Sequence, residues 1–271
     1  MKHSSSVEQF LILTIIASSA AMLPLTLSEI HLGATRAWEN TVLSLNPSAE
    51  RAYAYGVVHF SSSQRDAYDI DRAEYFFRRA IALNNRQPLA YHQLARIAFL
   101  RGEFSQAMTY INNELFLNPE PSPSSYYMRG LIRGYMGDYP EAVTDYQMYL
   151  TRKPANWAGF NDFAWVLVKD NRPAEAWEIV LHGLASYPTN PWLLNTGAIA
   201  SYELGETERA RSMALDAARF ALALSEKDWL VAYPGNDPAV AQEGISTLYT
   251  AIMQNIHRAS VVTATPATQT P

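Results

Sequence analysis

The chain has 271 residues, 48% of them apolar and 17% charged, with a formal net charge of −5 and no cysteine. That length and apolar content suffice for one extended domain with flanking segments. The missing cysteines exclude disulfides, thiolate metal sites and a cysteine nucleophile, and four lysines in an acidic chain with no dense basic cluster exclude a nucleic-acid track.

Residues 10–27, "FLILTIIASSAAMLPLTL", carry no charge. As a helix they would span about 27 Å, close to the ~30 Å of a bilayer's hydrocarbon core. Lys2 precedes the run, and Glu29, Arg36 and Glu39 follow it. The positive-inside tendency then keeps residues 1–9 in the cytosol and places the rest outside, on the periplasmic side of a bacterial membrane. The expectation is a single-pass transmembrane signal anchor. A cleaved signal peptide competes, with an apolar core at residues 10–17 and small residues Ser18, Ser19, Ala20 and Ala21 for cleavage. The continuation of the apolar run through "MLPLTL" favours the anchor. Residues 28–48 contain "ATRAWENTVLSLNP", which ends at Pro47 and reads as the second helix of a helix pair whose first is missing.

From residue 49 onward one spacing recurs. Ala73, Ala107, Ala142, Ala176 and Ala210 are separated by 34, 35, 34 and 34 residues. Turns precede them, as in "RGEFSQA", "MGDYPEA", "DNRPAEA" and "LGETERA", and Pro119, Pro154 and Pro188 each stand twelve residues past a marker. Strand-like alternation is absent, and helical spacing with Gly- or Pro-marked turns dominates. A period of this length predicts an all-α solenoid, in which each unit buries its apolar face only by stacking on the next. The glycines of "YYMRGLIRGYMGDYPEA", residues 126–142, are therefore packing and turn residues. Gly56, Ala95, Gly130, Ala164 and Ala198 are expected where two helices approach closely. Gly102, Gly137 and Gly205 are expected to end first helices in the left-handed conformation, with Asn171 taking that place in the fourth copy. The first copy is irregular. Its polar connector "SSSQRDAYDI" is about five residues longer than the others and is expected to be a surface insertion.

Period and pattern resemble the tetratricopeptide repeat (TPR): "YHQLARIA", "YYMRGLIR", "FNDFAWVL" and "LLNTGAIA" match its first helix, and "AMTYINNELFLNP" and "AVTDYQMYLTRKP" its second. The resemblance covers residues 49–224 and implies a right-handed α-solenoid of about five helix-turn-helix units. It further implies a concave groove lined by the first helices. Carried over, the groove positions are Leu89, His92, Arg96 and Phe99; Ser124, Tyr127, Leu131 and Gly134; Ala158, Asn161, Trp165 and Val168; and Trp192, Asn195, Ile199 and Tyr202. Of these, His92, Arg96, Phe99, Tyr127, Leu131, Asn161, Trp165, Asn195 and Tyr202 are the candidate protein-binding residues, a set of aromatics and amides suited to an extended peptide. Chaperone-binding family members clamp a C-terminal carboxylate with Lys, Arg and Asn, and this groove lacks that lysine set. Arg129 and Arg133 share one helix face, and Glu141, Asp145 and Asp162 are candidate partners for a structural ion pair.

Residues 225–258 are expected to cap the last repeat, with Trp229 and Tyr233 as anchors, and the Thr/Pro/Ala tail at residues 259–271 is expected to be disordered. No HExxH, GxSxG or P-loop occurs, and no two histidines stand at metal-ligand spacing on one helix. Neither a catalytic residue, a metal nor a cofactor is expected. The reading is a membrane-anchored scaffold with protein partners in the envelope and no nucleic acid. The alternatives are a constitutive subunit of a larger membrane complex and a helper domain of an envelope enzyme.

Overall fold

The computed structural model describes residues 27–61, 65–153, 156–233 and 235–263. Among them there is no strand. Helix α1 (Leu27–Leu45) is followed by five pairs: α2 (Ala49–His59) with α3 (Ile70–Leu83), α4 (Ala90–Leu100) with α5 (Phe104–Leu117), α6 (Pro123–Met136) with α7 (Tyr139–Arg152), α8 (Trp157–Lys169) with α9 (Pro173–Ser186), and α10 (Pro191–Glu203) with α11 (Thr207–Ala221). A short α12 (Glu226–Ala232) and a long α13 (Ala241–Thr263) close the chain.

The repeat markers are what bring the helices of a pair together. Ala73, Ala107, Ala142 and Ala176 are fully buried, Ala210 nearly so, and Ala95, Ala164 and Ala198 face them from the first helices. At Gly56 a Cβ would lie 2.6 Å from the Phe77 ring. Turn geometry follows the sequence as well: Gly102, Gly137 and Gly205 have φ of 74°, 89° and 79°, and Asn171 has φ of 58°. Each first helix packs on its second, each second on the next first, and successive first helices α4, α6, α8 and α10 also touch. The first helices therefore form the inner row of the solenoid.

At the N-terminal end a buried polar network ties α1 to the first pair. His59 Nε2 lies 3.0 Å from Glu39 Oε2, Arg72 Nη2 donates to the same oxygen at 2.6 Å, and Arg72 Nη2 also donates to the Arg36 carbonyl at 2.9 Å. The described end of the long first connector joins this network. Its Ala67 carbonyl is 3.0 Å from His59 Nδ1, and Asp69 both caps α3 through Arg72 N and pairs with Arg36. Arg129 and Arg133 converge on Asp145, at 2.6 Å each. Asp162, the third candidate, takes no part.

At the other end α13 packs on α11 and reaches α10 and α12. Trp229 is buried against Ala241 and Ile245 and so anchors the cap. Helix α13 continues to Thr263, past the sequence-expected boundary at 258, because Ile252, Ile256 and Ala259 keep one face on the body of the solenoid. The expected anchor at residues 10–27 lies outside the described residues except for Leu27, which opens α1, and the tail from residue 264 lies outside them too. No helix among the described residues is long and apolar enough to cross a membrane.

Candidate protein-binding groove

On the inner row the first helices enclose an open cavity of about 420 Å³. Helix α4 contributes Arg96, Phe99 and Leu100, and α6 contributes Tyr127, Leu131 and Tyr135. Helix α8 contributes Trp157, Ala158, Asn161, Asp162 and Trp165, which share one face at helical spacing. Trp192 comes from α10, and Tyr233 and Asn236 from the connector after α12. The rings touch one another: Tyr135 and Trp165 lie 5.6 Å apart between centroids, Trp157 and Trp192 5.0 Å, and Trp192 donates its Nε1 proton to Tyr233 Oη at 2.9 Å. Gly134 makes room for this cluster, since a Cβ there would come within 3.0 Å of the Trp165 ring.

Six of the nine sequence-derived candidates line this cavity: Arg96, Phe99, Tyr127, Leu131, Asn161 and Trp165. The other three sit elsewhere. His92 is buried with Nδ1 3.2 Å from Ser125 Oγ, and burial, then the charge of Arg96, pushes its pKa down to about 3. Asn195 faces a second cavity of about 270 Å³ between α8, α10 and α13, where its Oδ1 accepts a hydrogen bond from Asn255 Nδ2 at 2.8 Å. Tyr202 carries the Arg258 guanidinium 5.4 Å from its ring centroid. Helix α13 thus occupies the inner row at the fifth copy. Asp162, Trp157 and Tyr135 were not among the candidates. They fall beside the expected groove positions rather than on them, and a periodic rule with fixed offsets passes over them.

No family model matches the sequence. No curated protein matches it either. The solved structures do match. A tetratricopeptide repeat protein from Parabacteroides merdae ATCC 43184 aligns over 94% of this chain and 99% of its own, at 15% identity and a TM-score of 0.59. YrrB, described as a TPR protein with an unusual peptide-binding site, aligns over 67% of this chain and 91% of its own, at 15% identity and a TM-score of 0.56. MamA aligns over 59% of this chain and 94% of its own, at 14% identity and a TM-score of 0.52.

The chain has the tetratricopeptide-repeat fold. Within this TPR solenoid the groove carries one cation and one carboxylate. The cation is engaged: Arg96 Nη1 donates to Gln93 Oε1 at 2.7 Å, and its guanidinium lies 4.7 Å from the centroid of Phe60. The carboxylate of Asp162 accepts hydrogen bonds from Tyr127 Oη and from Asn161 Nδ2. Burial raises its pKa above the ordinary carboxylate value, and the two hydrogen bonds offset that only in part. The field of Asp162 reaches its neighbours. Burial first, and Asp162 second, raises the phenols of Tyr127, Tyr135 and Tyr233, the last to about 12.

The TPR groove is also crossed by its own chain. Tyr68 Oη, in the first copy, donates to the Gly235 carbonyl at 2.9 Å. Gly235 has φ of 89° and lies against Phe60 and Arg96. The connector between α12 and α13 thus runs from the last repeat back to the first two.

Proposed function

We propose that this chain is a membrane-anchored TPR scaffold that recruits other proteins, with its repeats in an extracytoplasmic compartment. The aromatic cavity on the inner row carries the reading. A 420 Å³ space walled by rings, with few polar groups, suits side chains of a bound polypeptide. The fold is one whose solved relatives include a protein with a peptide-binding site. The uncharged residues 10–27, with Lys2 before them, support the anchor and its orientation.

The test is purification from gently solubilised membranes, comparing the native chain with Tyr135→Ala. Tyr135 is 56% exposed and lines the cavity, so the change removes groove surface together with its ring contacts to Phe99, Phe104 and Trp165, and the variant is compared at unchanged circular dichroism. Partners that accompany the native chain and not the variant support the reading. An identical partner set would remove the cavity from it. Protease added to intact right-side-out vesicles should digest the repeats; full protection until lysis would reverse the topology.

A constitutive-subunit reading draws on a different observation. The second helices expose large apolar side chains in successive copies: Phe116 at 86%, Met148 at 39%, Leu181 at 42% and Leu215 at 48%. A permanent interface would cover such a row. Partners retained in fixed stoichiometry by the Tyr135→Ala variant, but lost from Phe116→Asp, would favour this second reading.

A further inference from the structure

We propose that the inner cavity selects a positively charged group, a lysine or arginine side chain of a partner polypeptide, with Asp162 as the counter-charge and tryptophan faces as the walls. This rests on the reading of the groove as a polypeptide-binding site and names what it reads.

Asp162 is the first ground. It stands on the cavity wall, and no cation pairs with it among the described residues. Three other buried or half-buried carboxylates are matched to cations, Asp145 to two arginines, Glu39 to Arg72 and Glu74 to Arg101, whereas the buried Glu114 is held by the Leu89 and His92 backbone N–H groups and the Asn118 amide and faces no cavity of the groove. A carboxylate desolvated without a counter-ion costs folding free energy, since burial penalises its charged form. The fold holds it in place all the same. Tyr127 on the neighbouring first helix donates one hydrogen bond to it, and Asn161 donates the other while being fixed in turn by Thr196 Oγ1 at 2.8 Å. The carboxylate is therefore oriented from three consecutive copies.

The walls are the second ground. Trp157, Trp165 and Trp192 line the same cavity, and Tyr135 and Tyr233 join them in its wall. Aromatic faces carry negative electrostatic potential and attract ammonium and guanidinium groups. Among the described residues the chain already uses this attraction internally at nine sites, with Arg209 3.9 Å from the Trp177 centroid as the tightest. A ring-walled space with one carboxylate is complementary to a cation whose stem is apolar, and lysine and arginine both have that form. Arg96 stands two copies away, held by Gln93 and the Phe60 ring, so the charged group on the same helix as Trp157 and Trp165 is Asp162.

The three tryptophans supply the readout. Four small probes are titrated against the full chain while its tryptophan fluorescence is followed: acetyl-arginine amide, acetyl-lysine amide, tetramethylammonium and acetyl-norleucine amide. Norleucine amide has lysine's stem without its charge. The two cationic amides should bind at least tenfold more tightly than norleucine amide. Asp162→Asn keeps the shape and the acceptor for Tyr127 and should erase that preference without weakening norleucine amide. Equal binding of norleucine and cations by the native chain, or an undiminished cation preference in Asp162→Asn with unchanged circular dichroism, would overturn the proposal. A peptide array separates this from the parent reading. Peptides that bind regardless of Lys or Arg content would leave the groove a polypeptide site and refute its charge selectivity. Cation-amide binding without any peptide binding would keep the selectivity and refute the polypeptide.

Discussion

Asp145 is 1% exposed between α6 and α7, and two guanidiniums reach it, Arg129 through Nε and Nη2 and Arg133 through Nη1. Arg133 also donates to the Glu141 carbonyl at 3.2 Å, so one side chain joins both helices of the copy. Each arginine side chain keeps about a fifth of its surface in water, 22% and 23%, which limits the desolvation cost of the triad. Removing the shared carboxylate leaves both cations unpaired at once. Asp145→Asn should lower stability by about 3 kcal/mol in urea unfolding. Arg133→Met should cost about 1 kcal/mol, since Arg129 still satisfies both oxygens. An Asp145→Asn melt equal to the native one would mean the triad is neutral to folding.

His92 makes the same argument in pH. Its folded pKa is about 3, against 6.5 for a free imidazole. Between these values the unfolded chain takes up a proton that the folded chain refuses. Stability contributed by the neutral ring is therefore complete above pH 6.5 and is lost as pH falls toward 3. Glu114 and Asp162 act with the opposite sign. Their folded pKa values are raised, so what they contribute is lost as pH rises above the ordinary carboxylate range. The His92→Gln variant separates the two effects. Its unfolding midpoint should fall less between pH 7 and pH 4 than that of the native chain. Parallel curves would show that His92 does not titrate differently in the two states.

Among the elements, the pairs were legible because one physical demand repeats in each. Two helices can touch closely only over small residues, and a first helix can turn sharply only at a residue that tolerates positive φ. Gly56 states the first demand most sharply. Its missing Cβ is filled by the fully buried Phe77 ring, whose Cε1 would stand 2.6 Å from the added carbon. Since Phe77 also packs on Tyr53 and Phe60, it has no free direction of retreat. Gly56→Ala should destabilise the first copy by about 1–3 kcal/mol, read as earlier hydrogen exchange of α2 and α3 than of α8 to α11. Uniform exchange across all copies would mean that the ring relocates cheaply. Less legible were the features that belong to no copy. The polar network of Glu39, His59 and Arg72 joins a helix outside the repeats to the first pair, and the Ala67 carbonyl at the end of the first connector is part of it. Nothing in a 34-residue period encodes a contact made once.

The whole molecule adds a constraint that a linear array lacks. Copies of a solenoid touch only their neighbours, yet Tyr68 and Gly235, 167 residues apart, share a hydrogen bond. That contact holds a non-repeating segment against the groove, which is why the candidate site was only partly visible in the sequence. The groove positions implied by the resemblance located Arg96, Tyr127, Asn161 and Trp165, but Tyr233 enters the same cavity from a non-repeating connector. Asn195 and Tyr202 match the groove rule too, but there they meet Asn255 and Arg258 of α13. A partner segment entering the cavity meets Tyr233 and Asn236, so the connector either walls the bound segment or must move aside for it. Gly235 is the place to test this. At φ of 89° a side chain is strained, and its Cβ would lie 2.5 Å from Arg96 Nη2 and 3.0 Å from the Phe60 ring. The Gly235→Val variant should therefore release the connector while leaving the ten paired helices intact. Limited proteolysis should cut near residues 232–237 at least several-fold faster, with unchanged circular dichroism. If the connector competes with a ligand, acetyl-arginine amide should bind the variant more tightly than the native chain, because the cost of displacement has been removed. Faster cleavage with weaker binding would mean that Tyr233 is a wall of the site rather than its occupant. Unchanged cleavage would mean that the contacts of Gly235 with Tyr68, Phe60 and Arg96 do not hold the connector down.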